Sequence, residues 1–282
     1  MGSYARHIHN LQVNPSIAAK VLAMLEKQDF SFSALEEVIR PDPGLTAKIL
    51  RIANSALYAR QNKVAKLQTA ITMLGVNTIK NLVILVTGSS LFKSNWDSPF
   101  YAVFWRHSLA SAFLSKSLAA RTRNPAIAEE AFVAGLLHNI GQVALFLDGP
   151  DRYEGILARA IREGRRIGSL EREAYGTDHK EIGNEVLSSW NFPEVYPDVA
   201  REHGNDNITS NHKVVVVLCS VADFIASNWF IHAEAPKPFS LLAPSLEYLG
   251  MDEAALEAWQ TEYRAVLEKD PLYLECQNLI KG

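Results

Sequence analysis

Cysteine is almost absent from this chain of 282 residues, which contains only Cys219 and Cys276. The two positions are far apart in the sequence, and Cys219 ends the apolar run Val214–Cys219. A cysteine in such a run is typical of the protein core, so we predict a buried thiol there rather than half of a disulfide. Sparse cysteine also fits a reducing cytoplasm, which is the location we expect.

Long apolar runs are lacking as well. The longest, Leu82–Val86 and Val214–Cys219, fall far short of the roughly 20 residues that a membrane-spanning helix needs. The first ten residues, MGSYARHIHN, do not show the charged and then apolar pattern of a signal peptide. We therefore expect no membrane span and no membrane partner.

Charge of one sign is not in excess. The formal net charge is −3 at pH 7, so the chain has no broad basic field for a phosphate backbone, and we expect no nucleic-acid partner. No glycine-rich loop of the kind that cradles phosphates is present. An apolar content of 48% and a charged content of 21% are typical of a globular protein with a sizeable core.

The alternation of apolar and polar residues that marks strands is nearly missing, whereas helical spacing runs through the whole chain. The predicted fold class is all-α, a two-lobed helical bundle. We place the N-terminal lobe at residues 10–92 and the second lobe at 99–230, separated by the polar segment Lys93–Pro99. Residues 231–282 form a helical extension, whose last helix lies near Asp252–Lys269 and should pack on one lobe.

Several helix ends carry local capping signals. Asp42 can cap a helix that has Pro43 in its first position. Ser33 and Glu36 have the spacing of a capping box, and Asn77 can cap the helix that leads into the apolar run of residues 82–86. These signals predict several short helices in the N-terminal lobe.

Two segments are apolar on nearly every side. Ala128–Ile140 predicts one central buried helix. Val214–Trp229 begins like a strand, but its length and its continuing apolar positions favour a second buried helix.

Five residues that can bind metal interrupt otherwise apolar helical faces: His107, His138, His179, His203 and Asp223. A single histidine on such a face is more often a hydrogen-bonded core residue than a ligand. Four such histidines and one aspartate on five helices favour a shared site, because imidazoles and a carboxylate pointing into one core are what metal-dependent hydrolysis requires.

Three further segments are informative: Gly135–Val143, GLLHNIGQV; Pro41–Tyr58, PDPGLTAKILRIANSALY; and Thr69–Leu82, TAITMLGVNTIKNL. Together they resemble the HDOD (HD-related output domain) family, a degenerate branch of the HD metal-dependent phosphohydrolases. The first resembles the family segment GLLHDIGK, whose His-Asp pair names the superfamily, and the other two resemble the HDOD signature. The resemblance covers about residues 10–230. It implies that the second lobe is HD-like and that its five candidate ligands belong to the family's metal site.

The chain departs from the family pattern at three positions of that site. Asn139 replaces the aspartate that bridges two metals, and Gln142 replaces a lysine. The second histidine of a paired element falls at Gly204, or at Glu202 if the alignment is shifted by one residue. An amide cannot supply an anionic bridge between two cations. We therefore predict a vestigial pocket with no catalytic residue and no resident cofactor, apart from a residual single divalent metal as the alternative.

The HDOD signature also contains Arg51, Asn54 and Ser55. Asn54 and Ser55 can simply end a helix through local hydrogen bonds. Arg51, one turn earlier, can pair with a group from another part of the fold. We favour a role in lobe packing over ligand binding for these three residues.

The leading hypothesis is a non-catalytic regulatory protein of a bacterial signalling pathway that acts by binding a protein partner or a small ligand. The alternative is a metal-dependent phosphohydrolase or cyclic-nucleotide phosphodiesterase that uses the remaining histidines and Asp223. A third possibility is a module that binds a nucleotide in the vestigial pocket without turnover. Asn139 and Gln142 discriminate among these hypotheses, and both argue against catalysis.

Overall fold

The computed structural model describes residues 15–26, 30–58, 63–90, 97–122 and 124–280. Within these ranges all regular secondary structure is helical, which confirms the predicted all-α class. The N-terminal helices are α1 Ser16–Glu26, α2 Phe32–Ile39, α3 Pro43–Ala53, α4 Leu67–Leu74 and α5 Val76–Ser89. The next group is α6 Pro99–Arg121, α7 Ala128–Leu137, α8 Ile140–Asp148, α9 Pro150–Glu163, α10 Ile167–Tyr175, α11 His179–Ser189, α12 Val195–Glu202 and α13 Lys213–Phe230. The last helices are α14 Ala243–Leu249, α15 Glu253–Leu267 and α16 Pro271–Ile280.

Some predicted boundaries lie outside the described residues. These are the start of the N-terminal lobe at residue 10, its end at residue 92, and most of the polar break at residues 93–99.

The first turns of α2 and α3 show how side chains start these helices. Helix α3 begins as predicted, with Pro43 in its first turn and the Asp42 side chain accepting a backbone hydrogen bond at 2.9 Å. The capping box at Ser33 is wrong, because α2 begins earlier. Ser31 is its cap, and its hydroxyl accepts a hydrogen bond from the backbone N–H of Ala34 at 3.1 Å.

Helices α4 and α5 meet at Gly75 with a bend of 113°. Gly75 has a φ of 78°, in the left-handed region that favours glycine, and this conformation lets one helix end and the next begin without a linker. The prediction of a cap at Asn77 is therefore wrong: α5 begins at Val76, and Asn77 lies inside its first turn.

The predicted continuous helix Ala128–Ile140 is broken at His138 and Asn139, which separate α7 from α8. After the break, α8 packs backbone to backbone against α11. A Cβ atom added at Gly141 would lie 1.9 Å from the carbonyl oxygen of His179. The break thus reflects tertiary packing, and it turns the His-Asn pair toward the interior of the second lobe.

Helices α6, α7 and α13 form the centre of the second lobe, and α13 confirms the predicted buried helix at Val214–Trp229. Within the described part of the chain, two segments are long and apolar enough to cross a membrane, residues 125–148 and 213–230, which the short apolar runs did not indicate. The fold buries 83% and 67% of an apolar 18-residue window in each segment. Their apolar surface therefore serves the core. The bent pair α4–α5 passes the same test only as one broken span.

The C-terminal helices extend further than predicted. Helix α15 covers most of the segment near Asp252–Lys269, but α16 follows it and is the last helix described. Carbonyl groups at the end of α16 accept hydrogen bonds from both lobes. Lys48 donates to Leu279 at 3.3 Å, and the hydroxyl of Tyr101 donates to Ile280. Helix α16 therefore contacts both lobes.

Candidate functional site

Three side chains from separate elements of the second lobe meet at one point: His107 on α6, His138 after α7, and Asp223 on α13. Oδ1 of Asp223 lies 2.9 Å from Nε2 of His107 and 3.2 Å from Nε2 of His138. The two Nε2 atoms are 3.3 Å apart. Both histidines are buried, whereas the Asp223 side chain is 25% exposed. The ligand atoms of these three side chains all lie within 4.8 Å of one another, which is close enough for them to share one metal ion.

The geometry of this group, the His107–His138–Asp223 triad, fits a single divalent ion. Two ligand atoms at right angles and about 2.1 Å from one ion are about 3 Å apart, which agrees with the separations in the triad. The Nδ1 atom of His138 lies 2.8 Å from the carbonyl oxygen of Gly135. Because that oxygen only accepts hydrogen bonds, Nδ1 carries the proton and Nε2 presents its lone pair to the triad.

His203 and His179 extend the site away from the triad. The ring centroid of His203 is 4.9 Å from that of His138, and the ring centroid of His179 is 5.7 Å from that of His203. Nδ1 of His203 lies 3.0 Å from the carbonyl oxygen of Val199, one turn earlier on α12. Its Nε2 therefore also carries a lone pair. The structure brings the four histidines and Asp223 together in one pocket.

Glu171 is part of this site and was missed by the sequence analysis. Its carboxylate is fully buried and accepts hydrogen bonds from Nδ1 of His179 at 2.5 Å and from the hydroxyl of Tyr153 at 2.6 Å. A carboxylate behind an imidazole is the usual outer contact of a metal-binding histidine. The only signal in the sequence is a glutamate beside the apolar Leu170 on α10.

Burial and hydrogen bonds set the charges of the pocket. Burial acts to raise the pKa of Asp223, but its close contacts with His107 and His138 outweigh it and hold that pKa well below its usual range. Burial lowers the pKa of His138 and lowers that of His203 much further. At neutral pH the Asp223 side chain is therefore a carboxylate, and the imidazoles of His138 and His203 are neutral, which are the forms that bind a metal.

Of the two positions at which the resemblance implies an aspartate and a lysine, Asn139 lies beside the triad and Gln142 follows in the first turn of α8. Asn139 is buried, and its Nδ2 is 3.4 Å from Nε2 of His107. Its Oδ1 is buried without a hydrogen-bond partner among the described residues. Gln142 is half-buried in the first turn of α8, and its backbone N–H donates to the carbonyl of Asn139 at 2.9 Å. Neither residue adds a charge to the pocket.

The position of the paired histidine is also changed. Gly204 has a φ of 65°, and its N–H donates to the hydroxyl of Ser220 at 2.8 Å. Glu202, the other residue considered for this position, turns away from the pocket. Its carboxylate accepts hydrogen bonds from the backbone N–H groups of Thr209 and Ser210 at 2.7 and 3.0 Å, which fixes the loop before α13.

Arg51, Asn54 and Ser55 lie outside the pocket, at the end of α3. Nδ2 of Asn54 donates to the carbonyls of Leu50 and Val64, both at 2.8 Å, so that this residue ends α3 and holds the following loop. Arg51 donates to the carbonyl of Asn278 at 3.4 Å, on the C-terminal helix α16. The hydroxyl of Ser55 is buried without a hydrogen-bond partner among the described residues.

Solved structures with the same fold come from several bacteria. An HDOD domain protein of unknown function from Geobacter sulfurreducens is 22% identical, with a TM-score of 0.73 over 98% of this chain and 97% of that one. A protein from Shewanella amazonensis SB2B, provisionally described as a phosphohydrolase, is 23% identical, with a TM-score of 0.71 over 99% and 98%. A protein from Marinobacter aquaeolei VT8, provisionally described as a signal transduction protein, is 19% identical, with a TM-score of 0.79 over 96% and 60%.

Sequence comparison gives a longer relative and a family. An uncharacterized protein from Treponema pallidum (strain Nichols) is 25% identical over 205 residues, 72% of this chain, and the match spans only 39% of that relative's length. The profile of the HDOD domain matches residues 11–205, which include four of the five candidate ligands, while Asp223 lies beyond the match. With most of its length matched by this profile and an all-helical fold shared with an HDOD domain protein, the chain belongs to the HDOD family.

Proposed function

We propose that this protein is a regulatory module of a bacterial signalling pathway that acts in the cytoplasm by binding, and that its HD-like pocket holds no more than one divalent cation. The observation that carries this proposal is the pairing of Asn139 with the triad. Among the described residues, Asp223 supplies the carboxylate within hydrogen-bond distance of His107 and His138, and an amide, Asn139, stands where the family resemblance implies a second carboxylate.

Charge explains why one cation is the limit. Two divalent ions held about 3.5–4 Å apart repel each other strongly and need an anionic bridge between them. The amide of Asn139 is neutral, and Gln142 supplies no fixed positive charge to stabilise a phosphoryl transition state. The protein would then act by binding alone. Either a separate protein partner recognises the pocket, or the pocket binds a nucleotide without hydrolysing it.

Metal content tests the first half of this proposal. Purified protein, dialysed without chelator, should contain at most one manganese, iron, zinc or nickel ion per chain by elemental analysis. His138→Ala should abolish any such binding, because it removes a ligand of the triad. His232→Ala, at a half-buried histidine outside the triad, is the matched control and should leave the metal content unchanged. Two tightly held metals per chain would contradict the proposal.

Hydrolysis tests the second half. The wild type should not hydrolyse cyclic nucleotides, cyclic dinucleotides or nucleotide phosphates above background with added manganese or iron. Activity that appears in the double variant Asn139→Asp with Gln142→Lys would support a decayed enzyme. The second candidate function is a metal-dependent phosphohydrolase, which the fit of the triad to one ion favours. Metal-dependent turnover by the wild type, abolished by His138→Ala, would establish it in place of our proposal.

A further inference from the structure

Helix α16 covers a face that the two lobes form together. It packs mainly on α5 of the N-terminal lobe and α6 of the second lobe. One side of α16 is apolar and buried, at helical spacing, and consists of Tyr273, Cys276, Leu279 and Ile280. The ring of Tyr273 meets the ring of Phe113 on α6 edge to face, with centroids 5.3 Å apart. The opposite side of α16 is exposed at Leu274. The surface under α16, here called the α5–α6 face, therefore accepts an amphipathic helix.

The end of α16 meets hydrogen-bond donors from both lobes. Lys48 and Arg51 of α3 donate at 3.3 and 3.4 Å, and the hydroxyl of Tyr101 on α6 donates as well, each to a carbonyl group of residues 278–280. The last carbonyl groups of a helix have no partner within it and carry its negative partial charge. Two cations and a hydroxyl are complementary to them. The α5–α6 face is thus built to receive the carboxyl end of a helix.

The helical form of α16 depends on this contact. The helix has 10 residues, and an isolated helix of fewer than about 12 residues is marginal in water. The hydrogen bonds from Lys48 and Arg51 are longer than the roughly 2.7–3.2 Å of ordinary N–H···O bonds, so they hold its end weakly. Release of α16 would unfold it and uncover apolar groups of α5 and α6, such as the ring of Phe113. An uncovered apolar surface of this kind is a binding site for another helix.

We propose that the α5–α6 face, with Lys48 and Arg51 beside it, binds an amphipathic helix of a separate partner protein, and that α16 occupies this face as an intramolecular competitor. The partner helix places apolar side chains on α5 and α6 and ends at the two cations, as α16 does. Both cations lie in the segment Pro41–Tyr58, which resembles the HDOD signature. The surface uses none of the triad residues, so the proposal goes beyond the one-cation pocket and does not depend on it.

Competition within one chain regulates the partner. A segment of the same chain has an effective concentration of about a millimolar at its site. A partner helix binds only the fraction of molecules in which α16 has been released, and its apparent affinity is lowered by that fraction. Any change that loosens α16 therefore strengthens binding of the partner without altering the face itself.

Fluorescence anisotropy of a labelled peptide with the sequence of residues 269–282 tests this proposal, since the peptide stands in for the partner helix. It is titrated with the full-length protein under reducing conditions. Leu279→Asp places a charge on the buried side of α16 and should raise the affinity for the peptide about tenfold or more over the wild type. Leu274→Asp is the matched control, at an exposed leucine of the same helix, and should bind the peptide as weakly as the wild type.

A second comparison tests the face rather than the competitor. Lys48→Met with Arg51→Met, added to the Leu279→Asp chain, removes both cations and should lower the affinity for the peptide about threefold or more. Arg40→Met, at an exposed arginine at the end of α2, is its control and should leave that affinity unchanged. The unfolding midpoint of each variant establishes that it is folded. If Leu279→Asp does not fold, Asn278→Pro breaks the last turn of α16 without adding a charge and gives the same comparison.

Three outcomes would overturn the proposal. The first is equal affinity for the peptide in the wild type and in the variants that release α16. The second is unchanged affinity after both cations are removed. The third is a wild-type dimer, measured by light scattering, that is lost in Leu279→Asp, because the face would then belong to a second copy of this chain. None of these results changes the metal content expected of the triad, so the one-cation function stands or fails separately.

Discussion

Oε2 of Glu171 accepts a hydrogen bond from Nδ1 of His179 at 2.5 Å, and both side chains are buried. Burial acts to raise the pKa of Glu171, but the charge and hydrogen bonds of His179, with a hydrogen bond from Tyr153, outweigh it and lower that pKa. Glu171 is therefore an anion at neutral pH. Its Oε2 atom accepts the Nδ1 proton of His179 and thereby fixes the orientation of that ring.

The first prediction concerns this pair. Glu171→Gln should lower the free energy of unfolding by about 1.5–3 kcal/mol, because it removes a charge-assisted hydrogen bond in a buried setting. Tyr153→Phe removes a hydrogen bond to the same carboxylate without changing its charge, and should cost about 1 kcal/mol. Urea unfolding of both variants measures these values. A Glu171→Gln variant as stable as the wild type would show that His179 does not depend on Glu171.

The second prediction concerns the packing of α8 on α11. Gly141→Ala should destabilise the protein by about 3 kcal/mol or more, because its Cβ would lie 1.9 Å from a backbone oxygen that cannot move aside freely. Gly155→Ala is the matched control. Gly155 lies inside α9, exposed and with no atom within 4 Å of an added Cβ, so alanine there should stabilise by about 0.5–1 kcal/mol.

Thermal or urea unfolding of the two alanine variants gives the comparison directly. If alanine lowers the free energy of unfolding at position 141 and raises it at position 155, close packing of α8 on α11 is supported as the reason why the His138–Asn139 break is held in place. Equal, small effects at both positions would contradict it.

Much of the fold could be predicted because its signals are local. Helical spacing and the Asp42–Pro43 cap are properties of neighbouring residues, and the all-helical class followed from them. The break at His138 and Asn139 could not be predicted, because it depends on a contact between α8 and α11, which are far apart in the sequence. Local propensity in an apolar segment favours one continuous helix, and tertiary packing overrides it.

Most of the candidate site could also be predicted from the sequence. Four histidines interrupt apolar helical faces in the sequence, and the structure places these four in one pocket with Asp223. Glu171 was not recognised, because charged residues on helices are usually exposed and give no sign of burial in the sequence. Only the fold shows that it lies behind His179.

The third prediction concerns acid stability. Asp198 accepts hydrogen bonds from Ser210 at 2.6 Å and His212 at 3.0 Å, and it pairs with Arg201 at 2.6 Å. Burial acts to raise the pKa of Asp198, but these three groups outweigh it and hold the pKa below its ordinary value. Because the folded pKa is the lower one, the stabilisation is fully present above the unfolded pKa of about 3.9 and is lost as pH falls through the folded pKa.

Unfolding free energies measured across pH check this sign. The difference between the wild type and Asp198→Asn should stay constant above about pH 5 and shrink below about pH 4. Asp206→Asn is the control, because it removes an exposed carboxylate that lies outside this network, on the loop before α13. Its free energy of unfolding should equal that of the wild type at every pH. A difference that grows toward acid pH would contradict the assignment.

The last prediction concerns the docking of α16. Both cysteines are buried, Cys219 in the central helix α13 and Cys276 on α16, and burial raises the pKa of the Cys276 thiol to about 12. Helix α16 packs mainly on α5 and α6 at the edge of the fold, and a peripheral helix opens locally at a lower free energy than a central one such as α13. A thiol reagent under native conditions should therefore modify Cys276 before Cys219, as peptide mapping by mass spectrometry would record.

Tyr101→Phe removes the hydrogen bond to Ile280, worth about 1 kcal/mol, and should speed modification of Cys276 about fivefold without changing that of Cys219. Equal acceleration at both cysteines would mean that α16 separates only when the whole protein unfolds.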